Sequence, residues 1–136
     1  MDISNYYDEI EVRVRYGETD QMGVVYHGNY AQYFEIGRIE WLRKFGISYK
    51  QMEEEGIMLP VISLAINYKK SARYDDVIKV KTQLVKLPSA TIEFYYEITN
   101  ESGVVLTTGN TTLVFIDMGR NKPTKCPAYI LDKLQN

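Results

Sequence analysis

The chain has 136 residues, of which 45% are hydrophobic and 25% charged, and its formal net charge is −2. This is the size and composition of one globular domain spanning 1–136, able to remove roughly two-thirds of its unfolded surface from water, and it argues against disorder. With no basic tract beyond Lys69-Lys70, the chain lacks the basic face that a nucleic-acid partner normally requires.

Cys126 is the only cysteine and His27 the only histidine. No internal disulfide is possible, a reducing compartment fits, and a metal site, which usually draws several His and Cys ligands, is not expected. Met1 to Asp8 carry neither a basic start nor an apolar run, so no signal peptide is expected. No stretch is long and apolar enough for a membrane span, and the expected location is cytoplasmic.

Along the chain, Glu11 to Tyr16 alternate polar and apolar residues, predicting a strand with one buried face that Gly17 ends. Glu18 to Gly28 show no period and read as a loop. Asn29 is a candidate N-cap with Gln32 as the second member of a capping box. Tyr30, Tyr33, Phe34, Gly37, Trp41, Leu42 and Phe45 then recur at helical spacing, and Gly46 is placed to end the helix. Ser48 with Gln51 predicts a second, short helix stopped by Gly56.

The remainder is strand-rich. Ile57 to Tyr68 is interrupted by Pro60, Val77 to Val85 alternates cleanly, and Thr91 to Thr99 is dense in β-branched and aromatic residues. Glu101-Ser102-Gly103 predicts a hairpin turn, and Val104 to Ile116 the last long strand. Pro123 and Pro127 bracket a loop before a short helix over Ala128 to Leu134. The order implies an α+β fold in which helices lie on one face of an antiparallel sheet. Twelve tyrosines, several in predicted strands, hint at self-association.

The segment between the first strand and the long helix sets Asp20 ahead of a glycine-bearing loop that enters a helix N-terminus. Unpaired N–H groups there favour negative charge and suit an oxyanion, and a carboxylate a few residues earlier can act on the same carbonyl. Strand–loop–helix segments with an Asp are common, and the spacing alone names no function.

The residues themselves say more. Arg15-Tyr16-Gly17-Glu18-Thr19-Asp20-Gln21-Met22-Gly23-Val24-Val25-Tyr26-His27-Gly28-Asn29-Tyr30, followed by Tyr33-Phe34-Glu35 and Arg38, resembles the hotdog-fold acyl-CoA thioesterases of the 4-hydroxybenzoyl-CoA thioesterase type. The branch of short acyl-CoA thioesterases associated with the Tol–Pal system is especially similar. Resemblance continues more loosely through Tyr68 to Asp76 and the final strand before Pro127.

It implies a long helix wrapped by a five- or six-stranded antiparallel sheet. It also implies a homodimer joined sheet edge to sheet edge, commonly paired into a homotetramer, with active sites at the subunit interface. The family's catalytic acid falls on Asp20 and its oxyanion donor, a backbone N–H at the helix entrance, on His27.

Gly23 and Val24 of the loop, Tyr30, Lys70 and Arg73 are the candidate substrate-binding residues. Tyr30 reads first as a core residue of the helix face, the alternative being that its hydroxyl lines the acyl pocket. Lys69, Lys70 and Arg73 suit the phosphates of coenzyme A, although basic residues at a strand end are also ordinary surface. The His27 imidazole has either a structural role or one in orienting the thioester or assisting the leaving thiolate. Glu18 reads as a solvated strand-end acid or a partner of the site, and Glu35 and Arg38 as a local ion pair. Cys126 has no histidine partner in view and reads as inert.

The expected activity is acyl-CoA hydrolysis, with Asp20 as nucleophile or general base and no cofactor beyond the CoA of the substrate. Acyl carrier protein esters are possible substrates too. Two other readings stay open. A hotdog hydratase or dehydratase of 3-hydroxyacyl thioesters would use His27 as base and an acid such as Glu35. A non-catalytic dimer would bind acyl chains or a protein partner.

Overall fold

A computed structural model describes residues 3–134. Strand β1 (Tyr7–Arg13) is followed by the loop that carries the motif, the long helix α1 (Tyr30–Lys44) and the short helix α2 (Tyr49–Glu54). Then come β2 (Ile57–Met58), β3 (Val61–Tyr68), β4 (Val77–Leu84), β5 (Thr91–Thr99), β6 (Val105–Val114), β7 (Ile116–Asp117), β8 (Lys122–Pro123) and helix α3 (Ala128–Leu134). The main sheet is antiparallel, with five strands in the order β1-β4-β5-β6-β3; β2, β7 and β8 form a small separate sheet.

Helix α1 lies in the hollow of the main sheet because its apolar stripe matches the inward side chains of the strands. Tyr33, Phe34, Trp41 and Leu42 are buried against Val80, Phe94, Tyr96 and neighbouring core residues. Phe34 stacks on Tyr96 with ring centroids 4.4 Å apart, and Trp41 meets Phe94 edge-on at 4.9 Å. The indole N–H of Trp41 is satisfied by the Tyr6 carbonyl at 2.9 Å, so its burial leaves no donor unpaired. Gly109 on β6 lies under Phe34, where a side chain would meet the ring.

Several boundaries differ from the sequence reading. The first strand runs from Tyr7 to Arg13 rather than from Glu11 to Tyr16, and Tyr16–Glu18 coil into a 3-10 turn. That turn forms because Glu18 reaches back to the Arg15 N–H at 2.9 Å and pulls the chain out of the ladder. Asn29 stands at the N-cap position of α1, as expected, but its backbone is already helical, φ −81° and ψ −13°, and its side chain makes no capping hydrogen bond. A 3-10 turn over His27–Asn29 leads into α1 instead, and the Asn29 amide donates to the Glu18 carbonyl at 2.9 Å.

The predicted strand from Val104 to Ile116 divides at Phe115, a buried core residue, and Ile116–Asp117 pair with β2. Ser48 does cap α2, accepting the Gln51 N–H at 3.1 Å, and Gly46 follows α1 with φ 76°. The 101–103 turn is held by Asn100, whose side chain accepts the N–H groups of Ser102 and Val104.

β3 is an edge of the main sheet and is mostly exposed, with Ile62 at 60% and Leu64 at 46%. Among the described residues no helix is long and apolar enough to cross a membrane.

Candidate active site

Beyond the Tyr16–Glu18 turn, the chain doubles back on itself. Asp20 N–H donates to the Val24 carbonyl at 2.9 Å, and Gly23 N–H to the Asp20 carbonyl at 3.0 Å. One Asp20 carboxylate oxygen, Oδ1, accepts the Met22 N–H at 2.8 Å. Gly23 sits at φ 77°, a left-handed conformation that lets the tight turn close without strain. Val24 bridges to Arg73, and Val25 N–H donates to the Ala72 carbonyl at 2.9 Å, so the returning limb lies along the segment that follows β3.

At the helix entrance, Tyr26 is extended and His27 begins the 3-10 turn. As at any helix N-terminus, the first amides have no partner further back in the turn. Neither the His27 nor the Gly28 N–H has a backbone acceptor among the described residues. The His27 carbonyl, in contrast, accepts the Tyr68 hydroxyl at 3.1 Å. The exposed imidazole lies between the Tyr26 ring at 4.4 Å and the Tyr68 ring at 6.2 Å.

These groups surround one open hollow of about 410 Å³. Asp20, Val24, His27, Tyr30 and Lys70 all line it, so five of the seven candidate residues meet at one place. Met22, Val25, Tyr68, Lys69 and Ser71 complete the wall. Tyr30 is 2% exposed, and its hydroxyl accepts the Ala72 N–H at 3.2 Å, which ties α1 to the far wall. Gly23 and Arg73 are outside the lining. Gly23 shapes the turn, and Arg73 contributes its backbone, with its N–H donating to Asp76 Oδ2 at 2.8 Å.

The acid and the helix entrance therefore present a carboxylate and free amide donors to the same space, an arrangement suited to acyl transfer. No group of His, Cys, Asp and Glu placed to hold a metal occurs among the described residues. Glu35 is exposed and does not line the hollow. The pairing of Glu35 with Arg38 does not form: Arg38 turns inward, 7% exposed, and donates to the Tyr96 hydroxyl at 3.2 Å.

One residue, Tyr68, escaped the sequence reading, and for Glu18 the structure decides between the two readings left open. Tyr68 alternates with apolar neighbours like any strand residue, yet its ring and hydroxyl both reach the His27 segment. Glu18 is not solvated: it is 8% exposed and fully engaged. Its Oε1 accepts the Arg15 N–H and the Tyr33 hydroxyl, each at 2.9 Å, and its Oε2 accepts Arg15 Nε at 3.1 Å and Nη2 at 2.9 Å. Burial alone would raise the Glu18 carboxyl, but the hydrogen bonds from the Arg15 backbone, Tyr33 and the Arg15 guanidinium outweigh it and hold the group below its ordinary range. Tyr33 is displaced the other way, by burial and by the carboxylate beside it, and stays a hydrogen-bond donor.

Comparison with known proteins identifies the family. Residues 14–134 match the family model described as the thioesterase-like superfamily. The acyl-CoA thioesterase YbgC of Haemophilus influenzae is 34% identical over 120 residues, 88% of each chain. The acyl-CoA thioester hydrolase YbgC of Escherichia coli O6:H1 is 30% identical over 120 residues, 88% of this chain and 90% of that one. The crystal structure of a DHNA-CoA thioesterase from Staphylococcus aureus superposes with a TM-score of 0.87 at 45% identity, covering 93% of this chain and 85% of the other. With its central helix wrapped by an antiparallel sheet, the chain has the hotdog fold and belongs to the thioesterase-like superfamily.

Proposed function

We propose that this protein, as a single hotdog domain, hydrolyses acyl-CoA thioesters to a free acid and CoA. The observation that carries the reading is the shared hollow, in which the Asp20 carboxylate and the amides at the His27 entrance address one space. The thioester carbonyl sits with its oxygen toward the His27 and Gly28 N–H groups, which hold the oxyanion as it forms. Asp20 either attacks the carbonyl carbon, giving a mixed anhydride that water then opens, or takes a proton from the attacking water. In both routes the C–S bond breaks and the sulfur leaves as a thiolate that takes up a proton. A thiol with a pKa of about 8.5 is a tolerable leaving group, so no strong general acid is needed. The reaction consumes only water and requires no cofactor.

Tyr30 and Val24 form the apolar side of the hollow, and Lys69 and Lys70 stand at its rim as partners for CoA phosphates. Esters of an acyl carrier protein present the same thioester and are a second substrate class. The exposed apolar edge of β3 supports self-association into a homodimer, with pairing of dimers into a homotetramer. A single cysteine suits a reducing cytoplasm.

The test is thiol release from a panel of short, long and aromatic acyl-CoAs by the native protein and by Asp20→Asn. Release that falls at least about 100-fold in the variant, the usual floor for a central acid–base group, supports the assignment. A folded Asp20→Asn protein with native turnover removes Asp20 from the chemistry, and no release from any ester removes the thioesterase reading.

A further inference from the structure

We infer that Glu18 is the positioning residue of this active site, locking the Asp20 turn and the His27 entrance to helix α1 as one rigid unit. The inference rests on the thioesterase reading above and goes beyond it by assigning the source of the site's preorganisation.

Glu18 is a hub in two senses. Its side chain takes four hydrogen bonds, three from Arg15 and one from Tyr33 on α1. Its peptide holds both stems of the catalytic loop: the Glu18 carbonyl accepts the Tyr26 N–H at 2.9 Å and Asn29 Nδ2 at 2.9 Å, while its own N–H donates to the Arg15 carbonyl at 3.0 Å. Asp20 begins two residues beyond this hub on one stem, and His27 follows Tyr26 directly on the other. The Thr19–Val25 bridge joins the two stems again one step further out.

The Tyr33 side chain links the hub to the core. The Tyr33 ring is 1% exposed within the α1–sheet core, and its hydroxyl meets Glu18 Oε1. Through it the loop inherits the rigidity of the most buried part of the molecule. The loop tip has little packing of its own: Asp20, Met22 and His27 are all exposed. Without the anchor, the backbone pairing of the loop would hold the acid and the oxyanion amides less tightly, and a shift of about 1 Å in a reacting group can cost about 100-fold in rate.

Glu18 itself does not line the hollow, and both its oxygens are occupied by donors. It acts through Asp20 and His27 rather than on the substrate. An acid is needed here because only an ionised carboxylate accepts from a guanidinium, a backbone amide and a phenol together.

The experiment compares kcat and KM for the best acyl-CoA substrate in wild type, Glu18→Ala, Glu18→Gln, Tyr33→Phe, Asp20→Asn and Glu18→Ala/Asp20→Asn, each checked for native circular dichroism. Glu18→Ala is expected to lower kcat at least about 10-fold while KM stays within about 3-fold, the signature of lost preorganisation rather than lost binding. Glu18→Gln, which still accepts from Arg15 N–H or Tyr33, should recover part of that loss. Tyr33→Phe should lower kcat several-fold. The double variant should be slower than Asp20→Asn by a clearly smaller factor than Glu18→Ala is slower than wild type, since one of the two groups that Glu18 positions is already gone.

A folded Glu18→Ala protein with kcat within 2-fold of wild type overturns the inference, as does a double variant in which the two losses multiply. If Glu18→Ala does not fold, native kcat in both Glu18→Gln and Tyr33→Phe overturns it equally. Asp20-dependent turnover of the wild type is measured in the same series, so failure of the thioesterase reading is seen separately from failure of the anchor.

Discussion

A Cβ placed on Gly109 of β6 would stand 2.4 Å from Phe34 Cε2 and 2.8 Å from the Ala65 carbonyl oxygen of β3. The helix can lie this close to the sheet only because that position has no side chain. Phe34 in turn stacks on Tyr96, so the contact fixes how α1 sits over β5 and β6. Gly109→Ala is therefore expected to destabilise the protein by about 1–3 kcal/mol, the range for overpacking a core. In urea unfolding the midpoint should fall with little change in slope, because the surface exposed on unfolding is the same.

The state of Glu18 sets an acid limit on stability. Its carboxyl is held below the ordinary value of 4.5 in the folded protein by hydrogen bonds that outweigh burial. A depressed folded-state pKa gives stability that is present above the unfolded value and is lost as pH falls through the folded value. Wild-type stability should thus drop below about pH 4.5 more steeply than that of Glu18→Gln, which has no proton to bind at this site. Parallel urea curves from pH 3 to 7 measure the difference, and parallel acid limbs would mean the buried carboxylate contributes nothing to the linkage.

Lys70 lines the hollow whereas Arg73 does not. Both are exposed, and contacts of exposed charges are worth about 1 kcal/mol or less. Lys70→Ala should raise KM for an acyl-CoA about 2- to 5-fold with kcat preserved, and Arg73→Ala less. The Lys70 effect should shrink for a short pantetheine thioester, which lacks the nucleotide phosphates, and at high salt.

Strand β3 offers a hydrogen-bonding edge and an apolar strip, with Ile62 60% and Leu64 46% exposed. Unprotected edges of this kind pair with another chain. Leu64→Lys is expected to shift the protein to a monomer in sedimentation velocity while wild type sediments as a dimer or tetramer. A wild-type monomer at micromolar concentration would rule out the edge as an interface.

Cys126 is 6% exposed, and burial pushes its thiol up to about 12. The thiolate is the reactive form. Native protein at pH 8 should react with a maleimide or iodoacetamide at least about 100-fold more slowly than protein in denaturant. Fast native labelling would show that the C-terminal helix opens readily.

The larger outline was legible in the order of the residues. Alternation over Val77 to Val85, the β-branched and aromatic density of Thr91 to Thr99, and the helical spacing from Tyr30 to Phe45 are local patterns, and β4 (Val77–Leu84), β5 (Thr91–Thr99) and α1 (Tyr30–Lys44) lie within one residue of where those patterns put them. The run from Asp20 to Tyr30 is also contiguous, so the motif was readable before any fold. Tertiary structure alone decided the fate of the polar residues. Glu18 becomes a buried anchor because Tyr33, on another element, covers it; Asn29 serves that anchor rather than capping α1; and Arg38 turns to Tyr96 on β5 rather than to Glu35. Tyr68 and Lys70 reach the hollow only because β3 delivers the chain beside the helix entrance. Periodicity reports which face of an element is apolar, a property of neighbours along the chain. Which polar group loses its water depends on segments far apart in sequence meeting in space, and that information exists only in the folded molecule.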